Sequence, residues 1–141
     1  MTIDNLKAGD VVEYTMEIAP RLTYANVLLR QDAGKAAITR GPLVYCLEEE
    51  DNGKHLWQLQ LLADGALEEV KTEELNGIIR LKSAALRDIS LDQSLYSSYA
   101  PAVKKQEISA ITYYARYNRS IGEMAIFTRV SGCCCDNHKN K

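Results

Sequence analysis

Short runs with apolar residues at every second position, each closed by Gly, Pro, Asn or Asp, set the strongest limit on what this chain can become. A side-chain period of two sends alternate residues to opposite faces of a strand. Val12, Tyr14, Met16 and Ile18 alternate with Val11, Glu13, Thr15 and Glu17, which predicts a strand with one buried face, opened by Gly9-Asp10 and closed by Pro20. Val27 to Arg30 and Ala36 to Thr39 read as two strands of a hairpin, with Gly34 supplying a positive φ in the loop between them. After Gly41-Pro42, the unbroken run Leu43-Val44-Tyr45-Cys46-Leu47 predicts a strand covered on both faces. Glu48 to Gly53 reads as a solvated turn. In Leu56 to Leu62, Trp57, Leu59 and Leu61 share one parity, so Trp57 is expected in the core.

Leu67 to Val70 and Ile78 to Ala85 are further strands, joined through Asn76-Gly77, a strong hairpin signal. Ala84 to Tyr99 fits a helical turn or a loop, and Ser97, Ser98 and Pro101 argue against a long helix. Glu107 to Arg116 and Glu123 to Val130 complete the pattern. About eight or nine short strands with turns every 8–12 residues indicate a sandwich or barrel, and the expected fold is an all-β, antiparallel β-sandwich. It is expected to span residues 1–131, with 132–141 as a disordered cysteine-containing tail.

Composition narrows the function classes. A chain of 141 residues is one domain's worth and buries roughly 65–70% of its unfolded surface, enough for a core without staples. A net charge of −2 with interspersed signs argues against nucleic acid and against an anionic membrane surface as partners. No apolar run approaches the roughly 18–20 residues that span a bilayer. Met1-Thr2-Ile3-Asp4-Asn5 lacks the pattern of a secretory leader, and the expected location is the cytoplasm. The four cysteines, Cys46 in an apolar run and Cys133, Cys134 and Cys135 in succession, are not a disulfide framework.

Three segments in order resemble one family. They are Gly9-Asp10-Val11-Val12-Glu13-Tyr14-Thr15-Met16 with Arg21, then Arg40-Gly41-Pro42-Leu43-Val44-Tyr45-Cys46-Leu47-Glu48 with Asp51-Asn52, then Ala110-Ile111-Thr112-Tyr113-Tyr114-Ala115-Arg116-Tyr117-Asn118-Arg119 with Gly122-Glu123-Met124. Over roughly residues 5 to 130 the chain resembles the C-terminal β region of glycoside hydrolase family 127, which includes β-L-arabinofuranosidases. The resemblance implies an (α/α)6 catalytic barrel as partner in relatives. That barrel carries a zinc-bound cysteine nucleophile and a glutamate acid/base, and none of those groups maps onto this sequence. Thr112 stands where the family has proline and Arg116 where it has tryptophan, while the tail from Cys133 has no counterpart. The implied role is a non-catalytic accessory domain, not an enzyme on its own, with no cofactor and with self-association, simplest as a homodimer, through the face that packs on the barrel.

Each chemical motif has a plainer reading beside it. Cys133, Cys135 and His138 could supply three zinc ligands, but adjacent cysteines diverge along an extended chain, and a thiol-bearing tail is the favoured reading. Glu48 to Asp51 offers the paired carboxyls that glycosidases hold about 5–9.5 Å apart, yet contiguous acids in a turn usually form a solvated face. Glu48, at the strand end, could instead be buried and paired with an arginine such as Arg40. Trp57, Tyr114 and Tyr117 could form a platform for a plant-type carbohydrate, the basis of an alternative reading as a stand-alone carbohydrate-binding module. Tyr113 and Tyr114 point to opposite faces of a strand, so at most one is buried inward. Arg40, Gly41, Pro42, Glu48, Asn118 and Arg119 read as structural motif residues, with Asn118-Arg119 pinning a connection between strands.

Overall fold

The computed structural model describes residues 7–90 and 93–131. Among these, nine strands form one sheet: β1 (Pro20–Tyr24), β2 (Lys35–Arg40), β3 (Leu43–Glu48), β4 (Leu59–Leu62), β5 (Glu68–Lys71), β6 (Ile79–Ile89), β7 (Ala102–Thr112), β8 (Met124–Ala125) and β9 (Thr128–Ser131). A one-turn helix, α1 (Glu49–Asn52), follows β3, and 3-10 turns occupy Leu56–Gln58, Glu74–Asn76 and Tyr113–Ala115. The tail candidates Cys133, Cys135 and His138, and the Met1–Asn5 start, lie outside the described residues.

The chain is all-β, but it is not the two-sheet antiparallel sandwich expected. The ring β2-β9-β4-β6-β7-β3 closes because β3 pairs back to β2 through Thr39–Val44 and Arg40–Leu43, which makes a six-stranded barrel. Every pairing is antiparallel except β4 with β9, where Leu61 lies beside Val130. One C-terminal run serves three neighbours. The expected single strand Glu123 to Val130 breaks at Ile126-Phe127, so that β8 pairs with β3 while β9 enters between β2 and β4. Closure pairs the six ring strands with one another, while β1 stays outermost with one open edge.

The interior follows the pleat. Tyr45 and Leu47 point into the main core with Ile38, Leu59, Leu61, Leu81 and Ile108. Cys46, of opposite parity, packs in a second cluster with Ile78, Ile111 and Ala115. Strand β3 is therefore covered on both faces from Tyr45 to Glu48, which is why its sequence is an unbroken apolar run. The Asn76-Gly77 hairpin is present, with φ of 61° and 78°, and joins β5 to β6.

Three expected strands differ. Val11 to Ile18 belongs to no strand, and its apolar side chains are exposed. Val27 to Arg30 is a series of turns, so the partner of β2 is β1, which begins at the Pro20 expected to end a strand. A proline fits there because β1 is the outermost strand and one of its edges has no ladder to complete. Glu107 to Arg116 starts earlier, at Ala102, and ends at Thr112, after which the chain turns as a 3-10 helix with both Tyr113 and Tyr114 outward.

Candidate functional site

The second and third sequence motifs meet at one end of the barrel. Glu48 ends β3 only 4% exposed, and α1 turns the next residues back across β7. Gly53 caps α1 at φ 77°, in a region that glycine favours. Within that turn the Asn52 amide donates to the Glu48 and Ser109 carbonyls, each at 2.9 Å, while the Ser109 N–H donates back to Asn52 Oδ1 at 2.9 Å. Asn52 thus pairs with β7 as another strand residue would.

Arg119, on the connection after β7, grips the same turn. Its Nη1 and Nη2 donate to the two Asp51 oxygens at 2.8 and 2.6 Å, and Nη2 also reaches Glu48 Oε2 at 2.9 Å. Arg80 of β6 donates to Asp51 Oδ1 at 2.8 Å. Glu48 Oε1 accepts the Tyr117 N–H at 2.7 Å, and the Asn118 amide donates to the Ala115 carbonyl at 3.0 Å. Gly122 lies so close to Glu49 that a Cβ there would stand 3.0 Å from the Glu49 Cβ. The Glu123 carbonyl accepts the Glu49 N–H at 2.9 Å, which ties the end of this connection to α1.

The acidic run is therefore not a uniformly solvated face: Glu48 is buried and Asp51 partly buried, both in ion pairs. Arg40 is not the partner of Glu48. It faces Leu43 at the opposite end of β3 and instead makes a two-pronged pair with Glu69 of β5 at 2.8 and 2.9 Å. Both carboxylates of the buried pair are spent on one guanidinium, which leaves neither free to move a proton at a sugar.

These contacts set the titration of the site. Burial pushes the Asp51 carboxyl up, but hydrogen bonds from Arg119 and Arg80 and their charges outweigh it and hold Asp51 below its ordinary 3.8. A carboxyl lowered on folding adds stability in full above its unfolded value and loses it as the pH falls below. Thermal melts are therefore expected to lose stability below about pH 4, and Asp51→Asn to flatten part of that acid slope. Burial, and then the charge of Glu48, push the Cys46 thiol up to about 12. Cys46 is expected to resist iodoacetamide at pH 8 in the folded protein and to react once urea unfolds it, as peptide mass mapping would show. Among the described residues no group of three or more His, Cys, Asp or Glu side chains is placed to hold a metal.

A second feature surrounds Trp57. The 3-10 turn over Leu56–Gln58 breaks the period of two, so Trp57 leaves the parity of Leu59 and Leu61 and is 64% exposed instead of lying in the core. His55, left-handed at φ 63°, sets its ring 4.6 Å from the indole at 60°, and its Nδ1 stands 3.9 Å from Glu123 Oε1. Trp57 borders a surface cavity of about 440 Å³ with Phe127, Met124, Glu123, Lys35 and Arg129. Tyr114 and Tyr117 are exposed but do not line it. Tyr117 lies instead under Arg116, whose guanidinium carbon is 5.0 Å from its ring centre and 4.7 Å from that of Tyr113.

Sequence reasoning missed Arg80 and Arg87, and quoted Asn52 within a motif without giving it a role. Arg87 of β6 holds the loop before Trp57 by donating to the carbonyls of Asn52 at 2.7 Å and Lys54 at 2.8 Å. Main-chain acceptors leave no trace in a sequence, so nothing marked that role. The excess of acids over nearby bases around residue 50 was the one hint that cations must arrive from elsewhere.

Fold and site together define a small closed all-β domain whose carboxylates serve its own architecture. The pattern for the glycoside hydrolase family 127 C-terminal domain matches residues 20–129. The chain belongs to that family. It is 35% identical over 135 residues to the non-reducing end β-L-arabinofuranosidase of Bifidobacterium longum subsp. longum, covering 88% of this chain and 20% of that protein. A solved family 127 β-L-arabinofuranosidase from Geobacillus stearothermophilus T6 superposes with a TM-score of 0.78 at 36% identity, over 81% of this chain and 18% of that one. Another solved glycoside hydrolase gives a TM-score of 0.74 at 30% identity, over 83% of this chain and 20% of its own. The chain thus spans about a fifth of the length of the proteins it matches.

Proposed function

We propose that this chain is a non-catalytic accessory domain that packs on and braces the catalytic part of a β-L-arabinofuranosidase-type glycoside hydrolase. The observation that carries the reading is the match itself, which falls on a C-terminal domain making up about a fifth of the relatives. The locked state of Glu48 and Asp51 supports it, since carboxyls held by an arginine are not open to a sugar as the canonical two-carboxyl mechanism requires. The test is to mix this chain with the Bifidobacterium enzyme shortened by its C-terminal fifth. The chain alone is expected to leave an aryl β-L-arabinofuranoside intact, and to bind the shortened enzyme and raise its melting temperature. Hydrolysis by the chain alone, or no association, sinks the reading.

A second reading, a carbohydrate-binding module, is favoured by one observation, the exposed Trp57 beside a cavity with both acidic and basic groups. Such a volume suits a small ligand, and an aromatic face beside polar groups is the chemistry of sugar recognition. Trp57 is the only tryptophan, so its fluorescence reports the site directly. Arabinofuranosyl oligosaccharides are expected to give a saturable change, and Trp57→Ala to abolish the matching heat in calorimetry. A flat fluorescence and calorimetric response removes this reading.

A further inference from the structure

We infer that the cavity beside Trp57 is one half of a longer groove, and that Tyr96 and Tyr99 form the other half, where the continuation of a linear, neutral oligosaccharide binds. The inference rests on the carbohydrate-binding reading and adds a second subsite to it.

The second half is a cavity of about 470 Å³ lined by Gln58, Asp88, Leu95, Tyr96, Ser97 and Tyr99. Gln58 comes from the 3-10 turn ahead of β4, Asp88 from β6, and the rest from the connection between β6 and β7. That connection covers residues 90–101, of which 90 and 93–101 are described. Hairpin loops usually close in about 2–5 residues, and longer ones commonly carry function. Leu95 and Tyr96 are each 93% exposed and Tyr99 is 80% exposed. Ser97 Oγ accepts the Tyr99 N–H at 3.1 Å, which fixes the turn between the two tyrosines. A tyrosine offers a flat apolar face and a hydroxyl, and with two side-chain torsions it loses little entropy on binding.

Two contacts join the halves. Trp57 lines the first, and the next residue, Gln58, lines the second. Arg129 of β9 lines the first, and its Nη2 donates at 2.6 Å to Oδ2 of Asp88, which lines the second. Gln60 lies beside Arg129 in the parallel β4–β9 pairing and donates to Oδ1 of the same carboxylate. The Arg129–Asp88 pair is therefore the wall between the cavities, held from β4, β6 and β9 at once.

The lining selects the ligand. Its charges are already matched: Arg129 pairs with Asp88, Lys35 with Asp32 at 3.3 Å, and Glu123 Oε2 accepts the Leu56 N–H at 2.8 Å. What remains for a ligand is the aromatic faces of Trp57, Tyr96 and Tyr99 with neutral hydrogen-bonding groups such as the Gln58 amide and the tyrosine hydroxyls. Those are the groups that recognise an uncharged sugar, and they give an anion no unpaired cation. Because the aromatic faces stand in two adjoining cavities, the ligand is a chain of sugar units and not a single ring.

The test titrates the whole chain with an arabinofuranosyl disaccharide and with the corresponding hexasaccharide, read by Trp57 fluorescence and by calorimetry. The hexasaccharide is expected to bind at least about tenfold more tightly, because its far end engages the second half without a second association step. Calorimetry is expected to give one hexasaccharide per chain. Tyr96→Ala and Tyr99→Ala are each expected to remove most of that advantage, so that the hexasaccharide then binds about as the disaccharide does. Both side chains stand in solvent, so the melting temperature is expected to stay the same. Equal affinities for the two lengths, or an advantage that both variants keep, overturn the inference and leave the carbohydrate-binding reading standing. Two hexasaccharides per chain mean two separate sites and overturn it as well. If neither sugar changes the fluorescence or gives heat, both fall.

Discussion

Replacing Arg119 with leucine is expected to cost about 3–5 kcal/mol of stability, the usual result of removing one partner from a buried ion pair. Glu48 and Asp51 have side chains 5% and 13% exposed and share the Arg119 guanidinium at 2.9 and 2.6 Å. Without it, among the described residues, the Glu48 carboxylate keeps the Tyr117 N–H and Asp51 keeps Arg80. For a domain of this size the melting temperature should fall by about 10 °C or more. Arg119→Lys is expected to recover only part of the loss, because a single ammonium cannot reproduce the two parallel bonds to Asp51. Converting Glu48, Asp51 and Arg119 together to leucine should cost less than Arg119→Leu, since no charge is then left buried alone. Melting curves followed by circular dichroism decide the point. A loss below about 1 kcal/mol would mean the cluster is screened like a surface pair.

Asn52→Ala is the second large effect, at about 2–4 kcal/mol, because each buried group left unpaired costs about 1–3 kcal/mol. Three bonds go at once: those to the Glu48 and Ser109 carbonyls, and that from the Ser109 N–H. These are the bonds that hold α1 against β7, so the Arg119 clamp loosens with them. Urea denaturation midpoints provide the measurement. Asn52→Asp sharpens it, since aspartate can still accept from Ser109 but cannot donate, and it adds a negative charge beside Glu48. It should be at least as damaging as alanine at neutral pH, and less so in acid where that charge is lost. Equal midpoints for Asn52→Ala and the wild type would show that α1 is held by other contacts.

Where a residue's role depended on its own run, it was legible. The Leu43–Leu47 run announced a strand covered on both faces, and Asn76-Gly77 announced its hairpin, because burial and positive φ act locally on residue choice. Roles set by distant partners were not legible. Strand patterns say that β4 and β9 exist but not that they lie parallel, nor that β3 pairs back to β2, and those pairings close the barrel. Trp57 was misread because one 3-10 turn shifts the phase by which parity is counted. Glu48 suggested burial and an arginine, yet its arginine came from 71 residues away and not from the adjacent strand. The alternation of Val11 to Ile18 announced a strand that pairs with none of the described ones, because a pattern records side-chain parity and not the presence of a neighbouring edge.

The position of β9 has a consequence for the order of events during synthesis. Thr128–Ser131 wedge between β2 and β4, which were made long before, so closure waits for nearly the last described residues. Such distant pairings place this domain among slow folders, on a scale of milliseconds to seconds. Until β9 arrives, a nascent chain on the ribosome carries two bare strand edges, one on β2 and one on β4. A stalled or truncated product ending before Thr128 would keep both edges indefinitely, and would be a substrate for chaperones or a seed for aggregation.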